Sequence, residues 1–180
     1  MIDRSMRSRP MSLLASALFL VLAPGTVAVY VPWAITRWTF GALPVYIDLV
    51  RAVSVMLAVM GSSVLLEAFW RFAWIGRGSP APVLPTTTLV VSGFYRFVRN
   101  PMYVAVIALV LAQAAWLWRW ELVVYAAILL TCFHLFVLVY EEPTLASQYG
   151  DSYKRYCRHV RRWIPRVRPW NAKASRYKSM

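Results

Sequence analysis

The sequence predicts an all-α integral membrane protein of about four transmembrane helices, with room for a fifth, closed by a C-terminal amphipathic helical segment at the interface. Three observations carry this prediction. Of the 180 residues, 60% are hydrophobic and the mean hydropathy is positive, a balance that points to lipid and away from a soluble core. Four apolar stretches, 11–35, 43–70, 101–118 and 122–140, come near the ~20 residues that cross a ~30 Å hydrocarbon layer, and the last two carry no charge. The third observation is where the 20 Lys and Arg residues fall. Three lie in the N-terminal tail, four between Arg71 and Arg99, and ten beyond Tyr153, whereas only Arg37 and Arg119 occupy the other two connections. Four spans with both termini in the cytoplasm place 17 basic residues inside against two outside, as the positive-inside bias requires.

The elements follow in order. Arg4, Arg7 and Arg9 precede "LLASALFLVLA". This could open a secretory signal, but the apolar run outlasts a signal core and no small-x-small cleavage site is clean, so the stretch reads as the first span. In the second span Asp48 and Arg51, at i and i+3, are expected to pair near the outer surface, and Glu67 lies near the inner end. The run "GRGSPAPVLPTTTLVVSG", residues 76–93, holds three prolines and three glycines, which end the second helix and make an inner loop along the membrane surface. Asn100 suits a helix N-cap and Pro101 the first helical position. The third and fourth spans are joined only by Arg119, Trp120 and Glu121, so they run antiparallel and pack ~8–10 Å apart.

Beyond Pro143, Leu145, Tyr149, Tyr153, Tyr156, Val160 and Trp163 form an apolar stripe with basic residues largely off it. The pattern suggests two short helices, Gly150 ending the first and Asp151 capping the second, serving as a surface anchor or as a lid. The organisation is one domain in four parts: helices 1 and 2 over residues 1–70, the cytoplasmic Pro/Gly-rich loop over 71–100, the hairpin over 101–140 and the basic segment over 141–180.

The net charge of +13 is then mostly topology and attraction to anionic head groups, with no nucleic-acid partner. The tryptophans agree with this layout: Trp33, Trp38, Trp116, Trp118 and Trp120 fall at outer ends, and Trp70, Trp74, Trp163 and Trp170 on the inner side. Cys132, mid-span, and Cys157, on the reducing side, suggest neither a disulfide framework nor a metal site. Four spans without repeats argue against a transporter. The Gly76-Arg77-Gly78 run lacks the strand, the third glycine and the helix of a dinucleotide fingerprint.

The chemistry concentrates where the hairpin begins and ends. Arg96 and Arg99 stand beside the N-terminus of the third span, whose free N–H groups attract anions, although both arginines also suit plain interfacial anchoring. The antiparallel hairpin returns "YEEPTL" to the same face, and the carboxylates Glu141 and Glu142 can form an interfacial salt bridge or a site for a zwitterion.

"GFYRFVRNPMY", followed one hairpin later by "EEPTLASQYGDSYKRYCRHVRRWIP", resembles the isoprenylcysteine carboxyl methyltransferase and phospholipid methyltransferase superfamily of integral membrane enzymes, over residues 76–166. The two blocks together are specific, and either alone is weak. The resemblance implies S-adenosylmethionine as methyl donor, held on the cytoplasmic side by Leu89, Val90, Tyr95, Asn100, Pro101, Met102, Tyr103 and Glu141. The donor's carboxylate, ammonium, sulfonium and adenine suit a helix N-terminus, a carboxylate and tyrosine rings.

Two departures bear on the acceptor. Asn100 stands where the eukaryotic isoprenylcysteine enzymes have a titratable histidine, and Val137 stands where they hold substrate with an arginine, so a prenylcysteine is not carried over. A lipid or small apolar acceptor from the bilayer is expected instead. Methyl transfer asks chiefly for positioning and a dry site. For an amine or thiol acceptor, Glu142 and His134 are the nearest proton acceptors, His134 lying seven residues before Glu141 on about the same helical face. The alternative from another class is a non-catalytic membrane protein that binds anionic lipid or a partner through its basic C-terminal segment.

Overall fold

The computed structural model describes residues 18, 20–42, 47–74, 89 and 91–171, and among them every regular element is helical. Helix α1 covers Leu20–Thr36. It is followed by α2 (Ile47–Trp74), a 3₁₀ turn (Gly93–Arg96), α3 (Pro101–Leu117), α4 (Trp120–Phe136) and α5 (Glu142–His159). A π-helical turn lies within α1 at Thr26–Tyr30, and another joins α4 to α5 at Val137–Glu141. The expected first span falls partly, and the Pro/Gly-rich loop largely, outside the described residues.

Two helices are long and apolar enough to cross a membrane: Ile47–Arg71, of 25 residues, and the continuous rod Trp120–His159, of 40. Helices α1 and α3 are apolar but shorter, about 26 Å at 1.5 Å per residue. Leu49, Val53, Met56 and Met60 on α2, Val124, Ile128 and Leu135 on α4, and Val139 in the π turn after it, are exposed. Apolar side chains in such a continuous belt match a hydrocarbon environment better than water.

The helices α2 and α3 pack most extensively, because their contact is lined by small residues. A methyl group added at Gly61 would stand 3.1 Å from Leu109 and 3.2 Å from the Ala105 carbonyl, and Ala68 is fully buried. Leu65, Phe69, Ala105 and Val106 form one core with Ala28 of α1, while Val110, Ala114, Leu117, Leu122 and Ala126 form a second between α3 and α4.

Pro32 explains how α1 joins this bundle. It has no N–H to give to Ala28, four residues back, or to Val27, five back in the register of the π turn. Gln113 Nε2 donates to the Ala28 carbonyl (2.7 Å) and Tyr125 Oη to the Val27 carbonyl (3.0 Å). Carbonyls freed within an apolar layer thus gain partners from α3 and α4.

The hairpin turn is tighter than the expected Arg119–Trp120–Glu121 link. Trp118 adopts the left-handed conformation (φ 53°) and Arg119 donates its N–H to the Ala114 carbonyl (2.9 Å), so only these two residues connect the helices. Trp120 and Glu121 join the first turn of α4, where a carboxylate suits the helix dipole, and Arg119 Nη2 holds Glu121 at 2.9 Å. The expected Asp48–Arg51 pair is also corrected. The Arg51 guanidinium lies 5.5 Å from the Phe40 ring and 5.4 Å from the Trp116 ring, a cation–π arrangement.

The C-terminal segment divides at Gly150, as expected, but Asp151 makes an exposed ion pair with Lys154 (3.6 Å). Gly150 takes φ 52°, ψ −127°, and open space surrounds it. This bend directs Tyr153, Tyr156 and Val160 into a buried cluster with Trp170. Gly150→Ala meets no steric obstacle, so its cost is the backbone conformation alone, about 1–3 kcal/mol. Thermal unfolding with limited proteolysis of the C-terminal segment is expected to show that loss, and an unchanged midpoint would contradict it.

Candidate active site

Three pieces of chain converge where α3 begins and α4 ends: residues 93–100, the π turn with the start of α5, and a strap over 160–170. Gly93 (φ 53°) brings the first piece against α2, for a side chain there would collide with the ion-paired Glu67 and Arg71. Main-chain bonds join this piece to the strap. Arg99 donates its N–H to the Arg161 carbonyl, Arg166 to Phe97 and Trp170 to Arg96, each at 2.9 Å. Arg96 Nε returns to the Trp170 carbonyl at 2.8 Å, and Tyr156 Oη donates to the Tyr95 carbonyl at 2.6 Å.

The adjacent carboxylates where the π turn ends take different partners. Glu142 accepts from Arg162 Nε (2.7 Å) and Nη2 (2.9 Å), and lies 3.0 Å from Arg99 Nη1. Burial pushes its carboxyl upward, but the Arg162 hydrogen bond and the charges of Arg99 and Arg162 prevail and hold it below the usual carboxylate range. Glu141 accepts from Tyr103 Oη at 2.9 Å and has no cationic partner among the described residues. Its carboxyl is raised: burial dominates, the Tyr103 hydrogen bond opposes, and the Glu142 charge adds to the rise. Tyr95 is likewise pushed up by burial and then by the charge of Glu141.

The ring of Tyr103 stacks on Phe133 (4.6 Å) and stands 6.4 Å from Trp163 of the strap. Trp163 Nε1 donates to His134 Nδ1 at 3.0 Å, which leaves the His134 proton on Nε2 when the ring is neutral. On its other side Tyr103, with Met102, Val106 and Phe133, borders an apolar cavity of about 100 Å³ that reaches Pro24 and Val27 of α1.

The structure brings Asn100, Pro101, Met102, Tyr103 and Glu141 to one end of the bundle, with Tyr95 buried behind them. Asn100 does occupy the N-cap position, yet its side chain makes no cap and Nδ2 donates to the Arg162 carbonyl (3.3 Å). Leu89 packs in the Tyr153–Trp170 cluster, and Val90 lies outside the described residues. The two expected proton acceptors are engaged, Glu142 by two arginines and His134 by Trp163. Val137 is fully buried, so the position of the departed arginine is apolar core. Arg162 and Trp163 were not anticipated as part of the site, because nothing in a basic amphipathic pattern marks which residues fold back 20 and 29 positions along the chain.

A family model described as phospholipid methyltransferase matches residues 49–152, from α2 through the first half of α5. The chain belongs to the phospholipid methyltransferase family. The match includes Asn100–Tyr103 and both glutamates, while Arg162 and Trp163 lie beyond it. A Haemophilus influenzae protein described only as uncharacterised is 33% identical over 63 residues, which is 35% of this chain and the whole of that relative. Family membership makes this a membrane methyltransferase by class.

The Glu142 contacts predict a pH-dependent clamp. A carboxyl held below its unfolded value stabilises the fold fully above the ordinary carboxylate range, and this stabilisation is lost as pH falls through the lowered value. Glu142→Gln is expected to cost about 1–3 kcal/mol at neutral pH and to flatten the acid limb of a stability–pH profile. An acid limb as steep as wild type would contradict the assignment.

Proposed function

We propose that this phospholipid methyltransferase family member is an S-adenosylmethionine-dependent enzyme with four membrane spans and cytoplasmic termini, methylating a lipid or small apolar acceptor at the cytoplasmic interface. The observation that carries the reading is Glu141. A carboxylate sheltered from water, with a phenol and no cation beside it, is costly unless something positive arrives. The donor brings an ammonium and a sulfonium, so the residues present fit it.

In this proposal Glu141 binds the positive end of the donor, with Tyr103 holding the carboxylate in place. Asn100, Pro101 and Met102 supply the start of α3, whose unpaired N–H groups suit a carboxylate, and Tyr95, Leu89 and Val90 complete the donor's surroundings. When bound, the donor supplies an electrophilic methyl group. Trp163 and Phe133 cover Tyr103 and exclude water, which favours a displacement in which charge is dispersed. The 100 Å³ cavity beside Tyr103 suits a few methylene groups of an acceptor entering from the bilayer and is too small for a nucleoside.

Glu142 then serves as a structural anchor, since an ion-paired carboxylate with a lowered pKa is a poor base. His134 can take a proton only at Nδ1, whose lone pair already accepts from Trp163, so it orients the strap and acts as a base only if that bond opens. The four parts of the chain act as one domain, because the strap closes on residues from the second and third parts and α2 of the first part packs against α3. The C-terminal segment is thus read as a lid as much as an anchor.

Two measurements test this reading. Calorimetric titration of S-adenosylmethionine in nanodiscs is expected to show saturable binding that Glu141→Gln abolishes and Tyr103→Phe weakens about tenfold. Unchanged affinity in folded Glu141→Gln protein would sink the donor site. Affinity is also expected to fall as acid protonates Glu141, beginning at a pH above the ordinary carboxylate range because its pKa is raised. A pH-independent affinity would argue against a carboxylate–cation contact.

A further inference from the structure

Behind the strap lies a second concavity that the methyl-transfer site does not use. It has a volume of about 780 Å³, within the range of ~300–1,000 Å³ typical of small-molecule sites. Six arginines line it: Arg99, Arg158, Arg161, Arg162, Arg166 and Arg168. Glu142 engages Arg99 and Arg162, and the other four have no ion pair among the described residues.

A run of basic residues on a solvated helix would spread its charges apart. Here the main-chain bonds from Arg99 to Arg161 and from Arg166 to Phe97 hold the chain so that the charges converge. The Trp170 ring, stacked on His159 at 5.2 Å, adds a rigid support. Arg99 Nε is buried and has no hydrogen-bond partner among the described residues. Six guanidinium groups around one concavity, with a single carboxylate paired to two of them, repel one another unless a further anion is held there. Planar guanidinium groups arranged around a cup match the several oxygens of a phosphate, which can accept from more than one arginine at once.

We infer that the arginine-lined cup formed by the end of α5, the strap and Arg99 is a phosphate-binding site, separate from the proposed donor site. The phosphate is that of a soluble ion or of an anionic lipid head group, and both present the same oxygens. The inference does not rest on the methyltransferase reading, because Glu141 and Tyr103 take no part in it.

The test uses the full chain in nanodiscs and reads the unfolding temperature and tryptophan fluorescence. One arm titrates inorganic phosphate into phosphatidylcholine nanodiscs, and the other replaces phosphatidylcholine stepwise by phosphatidic acid. The discriminating variant is Arg158→Gln with Arg168→Gln, two exposed residues whose loss breaks none of the contacts described above. Its control is Lys154→Gln with Arg155→Gln, which removes the same charge from the same region outside the cup.

A saturable response to either probe, weakened roughly tenfold or more by the first pair and within about twofold by the control, is the expected result. Response to inorganic phosphate identifies a soluble anion, and response to phosphatidic acid alone identifies a lipid head group. Two results would overturn the inference: no saturable response to either probe in folded protein, or equal weakening by the two pairs, which would mean undirected attraction to negative charge. Loss of S-adenosylmethionine binding in Glu141→Gln with this response intact would keep the two sites distinct.

Discussion

The fold of the candidate site depends on one interaction, the clamp of Arg99 and Arg162 on Glu142. Arg99 immediately precedes Asn100 and the start of α3, Glu142 begins α5, and Arg162 belongs to the strap. Three segments distant in sequence are therefore fixed by one carboxylate. Because the carboxylate is partly withdrawn from water, two-arginine contact is a directional constraint, stronger than the same ions on an open surface. The clamp also fixes what lies next to it: with Glu142 neutralised, Glu141 is left facing Tyr103 without a cation.

The π turn sets which faces the two carboxylates meet. Neighbours already point in different directions on any helix, and the extra residue in the turn decides where Glu141 and Glu142 fall relative to α3 and the strap. The wider turn over Val137–Glu141 resets the register just before Pro143, which has no N–H to continue it. The same arrangement occurs in α1, where the π turn Thr26–Tyr30 is followed two residues on by Pro32. In α1 the freed carbonyls draw side chains from α3 and α4 and hold the bundle together. At Glu141 the altered register serves the site. A proline that looks like a helix breaker thus acts, within an apolar layer, as a way of turning one helix toward another.

The strap gives the basic C-terminal segment more than electrostatic attachment. Its main chain pairs with residues 93–100, its Trp163 reaches both Tyr103 and His134, and its Trp170 closes the tyrosine cluster. Arginines that the sequence offers as interfacial anchors are structural: Arg96 holds the strap and Arg99 the clamp. Charge counting alone therefore undervalues them.

The sequence by itself determined the helical class, the apolar stretches, the antiparallel hairpin, the helix start at Asn100–Pro101 and the motif that marks the phospholipid methyltransferase family. Apart from the motif, whose two blocks are specific only together, these are local consequences of hydropathy, proline geometry and a short connection. Tertiary structure alone decided that Arg51 faces Phe40 and Trp116, that Glu142 is clamped while Glu141 is not, and that Arg162 and Trp163 fold back over the site. Their partners lie far along the chain or depend on a helical register shifted by one residue. Neither distance nor register leaves a periodic trace, so residue type narrowed the chemistry while packing assigned it to particular atoms.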